Sequence, residues 1–211
     1  MLTSIARQSG TAVRVLLVMT LLLGIAYPLG IWLVSRLPGL SGPAEGSIRY
    51  SADGTAVGSS LIGIDPVAAD PAADPWFHTR PSATADDALG LGPGDPSTSA
   101  GANLGGFDEG LVATVAARRE RIAAREGVDV SRVPVDAVSS SASGVDPGIS
   151  PAYAELQVPR VARVTGLPVD AVRALVAEHT SGRVLGLLGE PTVNTTELNP
   201  AVAAAVGLPG G

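Results

Sequence analysis

An uninterrupted apolar segment near the start of the chain predicts a membrane-spanning helix. Residues 15–34 read VLLVMTLLLGIAYPLGIWLV and carry no charge. A helix of this length covers about 30 Å, the thickness of the hydrocarbon core of a bilayer. The alternative is a cleaved signal peptide, whose apolar stretch is shorter, about 7–15 residues. We therefore predict a short N-terminus over residues 1–14, a retained transmembrane helix over 15–34 and one further domain over 35–211.

Two glycines and a proline interrupt the second half of this span. Gly24, Pro28 and Gly30 surround Tyr27. Small residues allow a neighbouring helix to approach closely, and a proline leaves a backbone carbonyl that a neighbour can satisfy. We predict that Gly24, Tyr27, Pro28 and Gly30 pack on a partner helix. The alternative is a solitary anchor, in which glycine and proline are also common.

The pattern after the span begins with strands. Residues 47–62 surround Asp53-Gly54, a two-residue turn signal between alternating segments, which predicts a β-hairpin. Residues 81–106 are rich in Gly, Ser, Pro and Ala, and a stretch of this length and composition predicts a flexible loop.

Helical periodicity and helix caps dominate the remainder. We predict helices over 108–126, 150–165 and 168–180, short strands over 133–138 and 192–194, and a final Ala-rich helix with a frayed tail over 207–211. Early strands followed by helices predict an α+β fold.

Charge is distributed unevenly on the two sides of the span. The chain has 14 basic residues, all of them Arg, and 20 acidic residues, for a net charge of −6. Every acidic residue follows Ser41. We therefore predict a single-pass protein of the cell membrane with a cytoplasmic N-terminus and an extracytoplasmic domain. The absence of cysteine fits an exposed compartment.

Composition excludes several classes of chemistry. Without cysteine there is no disulfide, thiolate nucleophile or Cys-ligated metal. Without lysine there is no Walker A loop and no Schiff-base chemistry. A pI of about 4.8 argues against nucleic-acid binding.

The chain has two histidines, His78 and His179, and histidine is the residue most often used as a general base. A Ser–His–Asp site would have to use His179 and Asp146 with Ser141 or Ser143, and no spacing supports it. We therefore predict no catalytic residue and no metal ligand. A membrane-anchored hydrolase remains the least favoured alternative.

Eight segments in order point to a known family. Together they resemble the C subunit of the bacterial Kdp complex, the high-affinity potassium-transporting P-type ATPase. The segments are LGIAYPLG at 23–30, GSSLIG at 58–63, FHTRPSA at 77–83, ANLG at 102–105, VPVDAV at 133–138, SASGVDPGISP at 141–151, AELQVPRVAR at 154–163 and LLGEPTVNTTELN at 187–199.

The departures from the family pattern are local. Thr79 replaces a usual Gly, Ala102 a Ser, Gly148 a His, and Thr195-Thr196 an apolar pair.

The resemblance implies an accessory, non-catalytic subunit that supports assembly of the complex and raises its ATP affinity. Its partners would be the potassium-translocating subunit, the ATP-hydrolysing P-type subunit, a small stabilising peptide subunit and the bilayer. This chain has no phosphate loop, so any effect on ATP would be indirect, and we expect it to bind no cofactor alone. The alternative class is a membrane-anchored solute-binding or sensor module.

Two groups of motif residues are candidates for these roles. Trp76, Phe77, Arg80 and Asn103 form a candidate subunit interface, because Arg beside aromatic residues is typical of interface anchors. The alternative is that Arg80 pairs with a nearby Asp and Asn103 closes its turn. The resemblance assigns structural roles to Asp146, Pro147, Glu190, Asn194 and Asn199.

Overall fold

The computed structural model describes residues 2–50 and 54–207, which separate into two compact units between Ile48 and Arg49. The first unit is dominated by one long helix. It comprises α1 (Leu2–Leu21), a π-helical turn (Leu22–Ala26) and α2 (Tyr27–Ser35), followed by the short α3 (Ser41–Ala44). Within the described residues, one helix, Thr3–Ser35, is long and apolar enough to cross a membrane. It extends N-terminally beyond the apolar segment that predicted it.

The π-helical turn has a local cause in Pro28. The Tyr27 N–H bonds the carbonyl of Leu22, five residues earlier. Pro28 has no N–H, and in an α-helix its ring would crowd the carbonyl of Gly24. A single wide turn ahead of the proline relieves that crowding.

The second unit contains two small sheets. Strands β1 (Ile48–Tyr50) and β2 (Ala56–Ser59) pair with each other and confirm the early β-hairpin. Asp53 of the predicted turn lies outside the described residues. The second sheet is antiparallel in the order β3-β5-β4, built from β3 (Gly148–Ile149), β4 (Thr180–Ser181) and β5 (Thr192–Asn194).

Helices make up most of the remaining regular structure. They are α4 (Glu109–Glu126), α5 (Val135–Val138), α6 (Pro151–Thr165), α7 (Val169–Glu178) and α8 (Thr195–Val206), with 3₁₀ turns at Pro71–Ala73 and Val130–Arg132. Local caps fix their starts: Asp108 accepts from the Leu111 amide and Ser150 from the Tyr153 amide. The α+β prediction is confirmed.

The strand predicted over 133–138 is wrong. Residues 135–138 form the helical turn α5. The turn directs both Ala137 and Val138 into the core, whereas a strand would point neighbours to opposite faces. The Asp136 carboxylate then accepts from the amide and hydroxyl of Ser150, at the start of α6. The helix predicted to residue 180 ends at Glu178, and Thr180 belongs to β4.

Helix α6 lies at the centre of the core. Its buried residues include Tyr153, Val158 and Val161. Around it pack α4, α7 and β5, and α8 packs against α7 and β5. These elements contribute Ile122, Val172, Leu198, Val202 and Val193 to the core. Phe77, from the extended segment before α4, belongs to the same cluster.

The segment 81–106 contains no helix or strand, but it is anchored to the domain. Ser82 N donates to Gly90 O and Ala100 N donates to Ser143 O. A side chain on Gly94 would lie 2.7 Å from the Ser82 hydroxyl, so glycine permits this close packing. The flexibility of this loop stays a prediction. At the C-terminus Gly207 caps α8, and the rest of the predicted frayed tail, residues 208–211, lies outside the described residues.

Candidate functional site

Two side-chain amides hold the extended segment that starts at Phe77. Asn199 Oδ1 accepts from Phe77 N at 2.8 Å, and its Nδ2 donates to Phe77 O at 2.9 Å. Gln157 does the same for His78, at 2.8 Å to the amide and 3.3 Å to the carbonyl. Because buried backbone groups need partners, these amides replace the neighbouring strand that a sheet would supply.

The His78 ring lies between two buried carboxylates. Its Nδ1 is 3.0 Å from Asp65 Oδ2, and its Nε2 is 2.5 Å from Asp74 Oδ2. Both ring nitrogens of His78 are thus engaged by carboxyl oxygens, and the ring bridges Asp65 and Asp74.

Both carboxyls have a lowered pKa. Burial by itself raises the pKa of Asp65, but the charge and hydrogen bond of His78 and the Thr79 amide outweigh burial. Burial likewise raises the pKa of Asp74, and the hydrogen bond and charge of His78 outweigh it, helped by the Trp76 amide and Arg160. The two groups are therefore ionised at neutral pH despite being buried.

The charge cluster continues into α4 and α6. Arg160 Nε donates to Glu126 Oε2 at 2.9 Å, and its Nη1 donates to the Asp74 carbonyl at 2.7 Å. Arg125 binds Glu126 Oε1 at 2.7 Å and the Tyr153 hydroxyl at 2.9 Å. Asp65, Asp74 and Glu126 are thus paired with His78, Arg125 and Arg160 in one cluster, and pairing is what buried charges require.

Arg80 clamps a neighbouring loop. Its Nη2 donates to the Ser140 carbonyl at 3.0 Å, its Nε to the Ser139 carbonyl at 3.4 Å, and its Nη1 to Asp146 Oδ2 at 3.3 Å. Its side chain is 26% exposed. The pairing of Arg80 with an Asp, which was the structural alternative, is therefore present. Docking of the exposed part of the Arg80 side chain on another subunit stays a prediction.

Trp76 lines an open cavity of about 290 Å³ on the surface of the second unit. This cavity brings the segment 57–66 and Trp76 together with the start of α8, which is distant in sequence. Its walls include Ile62, Ile64, Thr196 and Pro200. A second cavity, of about 360 Å³, lies against Asp65, Asp74, His78 and Arg125.

The other two members of the candidate interface differ sharply. Phe77 is 0% exposed and belongs to the core, so its side chain packs inside this chain and we remove it from the docking set. Asn103 is exposed and has φ +51°, a conformation that Asn tolerates better than most residues. Trp76, Arg80 and Asn103 thus remain candidates.

Several motif residues join the hairpin end to the second sheet. Asn194 Nδ2 donates to Ser60 O, and Asn194 Oδ1 caps α8 by accepting from Glu197 N. Gly63 N donates to Val145 O beside Pro147, where a side chain on Gly63 would lie 2.5 Å from Pro147 Cα. The structural role that the resemblance assigned to Asp146, Pro147, Asn194 and Asn199 stays a prediction. Glu190 instead lies on an exposed turn, paired with Arg183.

The residues that depart from the family pattern contribute hydrogen bonds of their own. Thr79 adds a hydroxyl contact to Asp65 at 3.2 Å. The Thr195 and Thr196 hydroxyls donate to the carbonyls of Pro147 and Ile62, each at 2.9 Å.

The side chains of the predicted partner-helix surface are exposed. Tyr27 is 62% exposed, and Gly24 and Gly30 have open space or a single distant contact where a side chain would be. Gly24 lies in the π-helical turn and Pro28 follows it at the start of α2.

Sequence reasoning missed the ionic cluster. The available signal was Gln157 and Arg160, which are polar and one helical turn apart among the apolar residues of α6. Polar residues on the buried face of a helix require partners, but those partners, Asp74 and Glu126, are far away in sequence.

The conceivable triad is not assembled among the described residues. The His179 ring bonds the Leu175 carbonyl at the end of α7. Ser141 and Ser143 hydroxyls bond each other and nearby amides, while Asp146 pairs with Arg80 and caps Gly148 N.

Comparison with known proteins gives a consistent result. Residues 9–204 match the family described as KdpC, the K⁺-transporting ATPase c chain. A potassium-transporting ATPase KdpC subunit from Kineococcus radiotolerans is 44% identical over 204 residues, covering 97% of each chain. Proteins of the same name from Sorangium cellulosum and Streptomyces coelicolor are 45% and 42% identical, covering 92% and 97% of this chain and 96% of their own.

Proposed function

The chain belongs to the KdpC family of K⁺-transporting ATPase subunits, and from this premise we propose that it is a non-catalytic accessory subunit supporting assembly and stability of that complex. One observation carries the proposal. The helix Thr3–Ser35 contains an apolar segment of 18 residues, none of which is buried within the chain. Lipid and the helices of partner subunits are the surroundings that such a surface requires.

The orientation proposed is N-terminus in the cytoplasm and second unit outside. A helix of 33 residues is about 50 Å long, so its first turns, which carry Arg7 and Arg14, extend beyond a core of about 30 Å. Basic residues near the end of a span favour the cytoplasmic side, and the acidic residues all lie on the other side of the span.

The proposed partners are the potassium-translocating subunit, the ATP-hydrolysing P-type subunit and a small stabilising peptide subunit. We place the docking face around Trp76, Arg80 and Asn103, against the extracytoplasmic side of the potassium-translocating subunit. Trp76 beside an open cavity and a partly exposed guanidinium offer both area and directed donors.

Potassium and ATP are, in this proposal, handled by the assembled complex. His78 has both ring nitrogens engaged by carboxylates, and His179 is bonded at a helix end, so neither is placed as a free base. Any effect of this chain on ATP affinity is then indirect, through the conformation or integrity of the complex.

Omission of this subunit tests the proposal. The remaining subunits are expressed with and without this chain, and the yield of intact complex and its K⁺-stimulated ATPase activity are measured. We expect both to fall without the chain and to return with it. An intact, fully active complex lacking the chain would contradict the proposal. The orientation is tested separately with reporters fused after Gly211, one active only outside the cytoplasm and one active only inside it. Activity of the cytoplasmic reporter alone would reverse the proposed orientation.

A further inference from the structure

The turn between β4 and β5 carries an unusual concentration of exposed apolar side chains. Val184, Leu185, Leu187 and Leu188 are 64%, 89%, 80% and 65% exposed. We call these four residues the apolar tip. Apolar residues scattered singly on a surface are ordinary, but a contiguous group marks an interaction site.

The apolar tip has a fixed shape. Val184 N donates to Leu188 O at 2.8 Å, and Leu188 N donates to Val184 O at 3.0 Å, which closes the turn. Arg183 and Glu190 pair across its base at 2.7 Å. A surface already held in one conformation loses less entropy on binding than a flexible one.

The backbone conformation of Leu185 is a second unusual feature of the apolar tip. Its φ is +54°, in the left-handed region that leucine seldom occupies. Glycine or asparagine would adopt this conformation more easily. A large apolar side chain therefore stands, nearly fully exposed, at a position where local structure favours a small or polar residue. Such outliers cluster at binding sites.

Area and charge argue for one occupant. Four side chains form a patch of a few hundred Å², roughly, whereas a free-standing interface needs about 800 Å² per partner, so the tip is too small to hold two copies of this chain together. Residues 182–190 contain no aromatic residue, and their one Arg is paired with Glu190, so the aromatic and basic features of a lipid-inserting loop are missing from this segment.

We propose that the apolar tip inserts into an uncharged, aliphatic pocket on another subunit of the same potassium-transporting complex. This inference rests on the proposed function, since a subunit already held by its helix needs only a small second contact. Tethering raises the effective concentration of that contact, so a patch too small for free association suffices.

The test compares two double variants of the full chain co-expressed with the other subunits. Leu185→Asn with Leu187→Asn removes the tip, and asparagine suits the backbone of residue 185. Val112→Asn with Val135→Asn is the control, because these valines are also exposed, by 61% and 67%. We expect the tip variant to keep its melting temperature in detergent while recovery of the other subunits falls at least about tenfold, and the control to match the unaltered chain.

A photo-crosslinking amino acid at position 187 provides a second readout that does not depend on weakened assembly. We expect a crosslink to an identified subunit of the complex. Recovery equal to the control, or crosslinks only to lipid or to a second copy of the chain, would overturn the inference. If the unaltered chain itself fails to recover the other subunits, it is the proposed function that fails.

Discussion

Asn199 is hydrogen-bonded to both backbone groups of Phe77, which lies 122 residues earlier in the chain. Its amide oxygen accepts from Phe77 N at 2.8 Å and its amide nitrogen donates to Phe77 O at 2.9 Å. The C-terminal helix α8 is thereby joined to the extended segment that carries His78, Thr79 and Arg80. This segment lies over the ionic cluster and beside the cavity at Trp76.

We expect Asn199→Leu to destabilise the second unit by about 2–4 kcal/mol, because two part-buried backbone groups lose their partners. Urea unfolding of the full chain in detergent measures this. Asn199→Asp keeps the acceptor but places a second oxygen against the Phe77 carbonyl, so it should also be destabilising. Asn103→Asp, at an exposed position, is the matched control and should change stability by less than about 0.5 kcal/mol. If the Asn199 and Asn103 variants were equally stable, the two hydrogen bonds between Asn199 and Phe77 would not stabilise the fold.

Acidification should weaken the fold through Asp65 and Asp74. Their pKa values are lowered in the folded state, so the unfolded chain binds more protons as pH falls. The stabilisation is therefore present above the ordinary pKa of about 3.8 and is lost as pH falls through the lower folded values. We expect the free energy of unfolding to fall steeply below about pH 4.

The double variant Asp65→Asn with Asp74→Asn should be less stable at pH 7, because His78 loses both carboxylates, and should lose less stability on acidification. Asp170→Asn is the control, since that side chain is 96% exposed. If the free energy of unfolding fell equally with pH in the unaltered chain, the double variant and Asp170→Asn, the two buried carboxyls would not be responsible for the loss of stability.

Local signals explain which parts of the fold the sequence could predict. Helices α4 and α6 start directly after the capping residues Asp108 and Ser150, and each ends at a glycine. Their bounds therefore follow from neighbouring residues. The hairpin similarly depends on a short turn. The segment 133–138 misled because its apolar residues suit a strand, while its helical conformation is fixed by burial of Ala137 and Val138 against distant elements.

The candidate site was predictable only in part, because its contacts span long sequence separations. His78 was named only as one of two histidines, because Asp65, Gln157 and Asn199 meet its segment only in the folded chain. Phe77 was assigned to an interface because an aromatic residue beside Arg fits a surface anchor as well as it fits a core. Burial decides between these, and burial is a property of the whole fold.

Arg80→Ala should cost about 1–3 kcal/mol of stability, because its guanidinium donates to two carbonyls and a carboxylate. Arg80→Lys retains the charge but cannot span all three acceptors, so its loss should be intermediate. Arg173→Ala is the control, because Arg173 is an exposed partner of Glu155 and an exposed pair contributes little to stability. If Arg80→Ala unfolds no more easily than Arg173→Ala, the clamp is not formed. If complex yield then still falls, docking is the principal role of Arg80.

Gly24→Leu should reduce recovery of partner subunits if a neighbouring helix packs at the π-helical turn. The added side chain would occupy space that is open within this chain. Leu22→Ile conserves volume and lies on the opposite side of the helix, so it should have little effect. Quantitative co-purification in detergent measures both. Equal tolerance at the two positions would indicate a plain anchor.

Co-purification of the unaltered full chain with the other subunits of the potassium-transporting ATPase tests the central claim most directly. A tag on this chain is used for capture, and the recovered proteins are identified and quantified by mass spectrometry. The account predicts that the potassium-translocating and ATP-hydrolysing subunits are recovered in a fixed ratio to this chain, with K⁺-stimulated ATPase activity. Recovery of this chain alone, while those subunits form an active complex without it, would contradict the account.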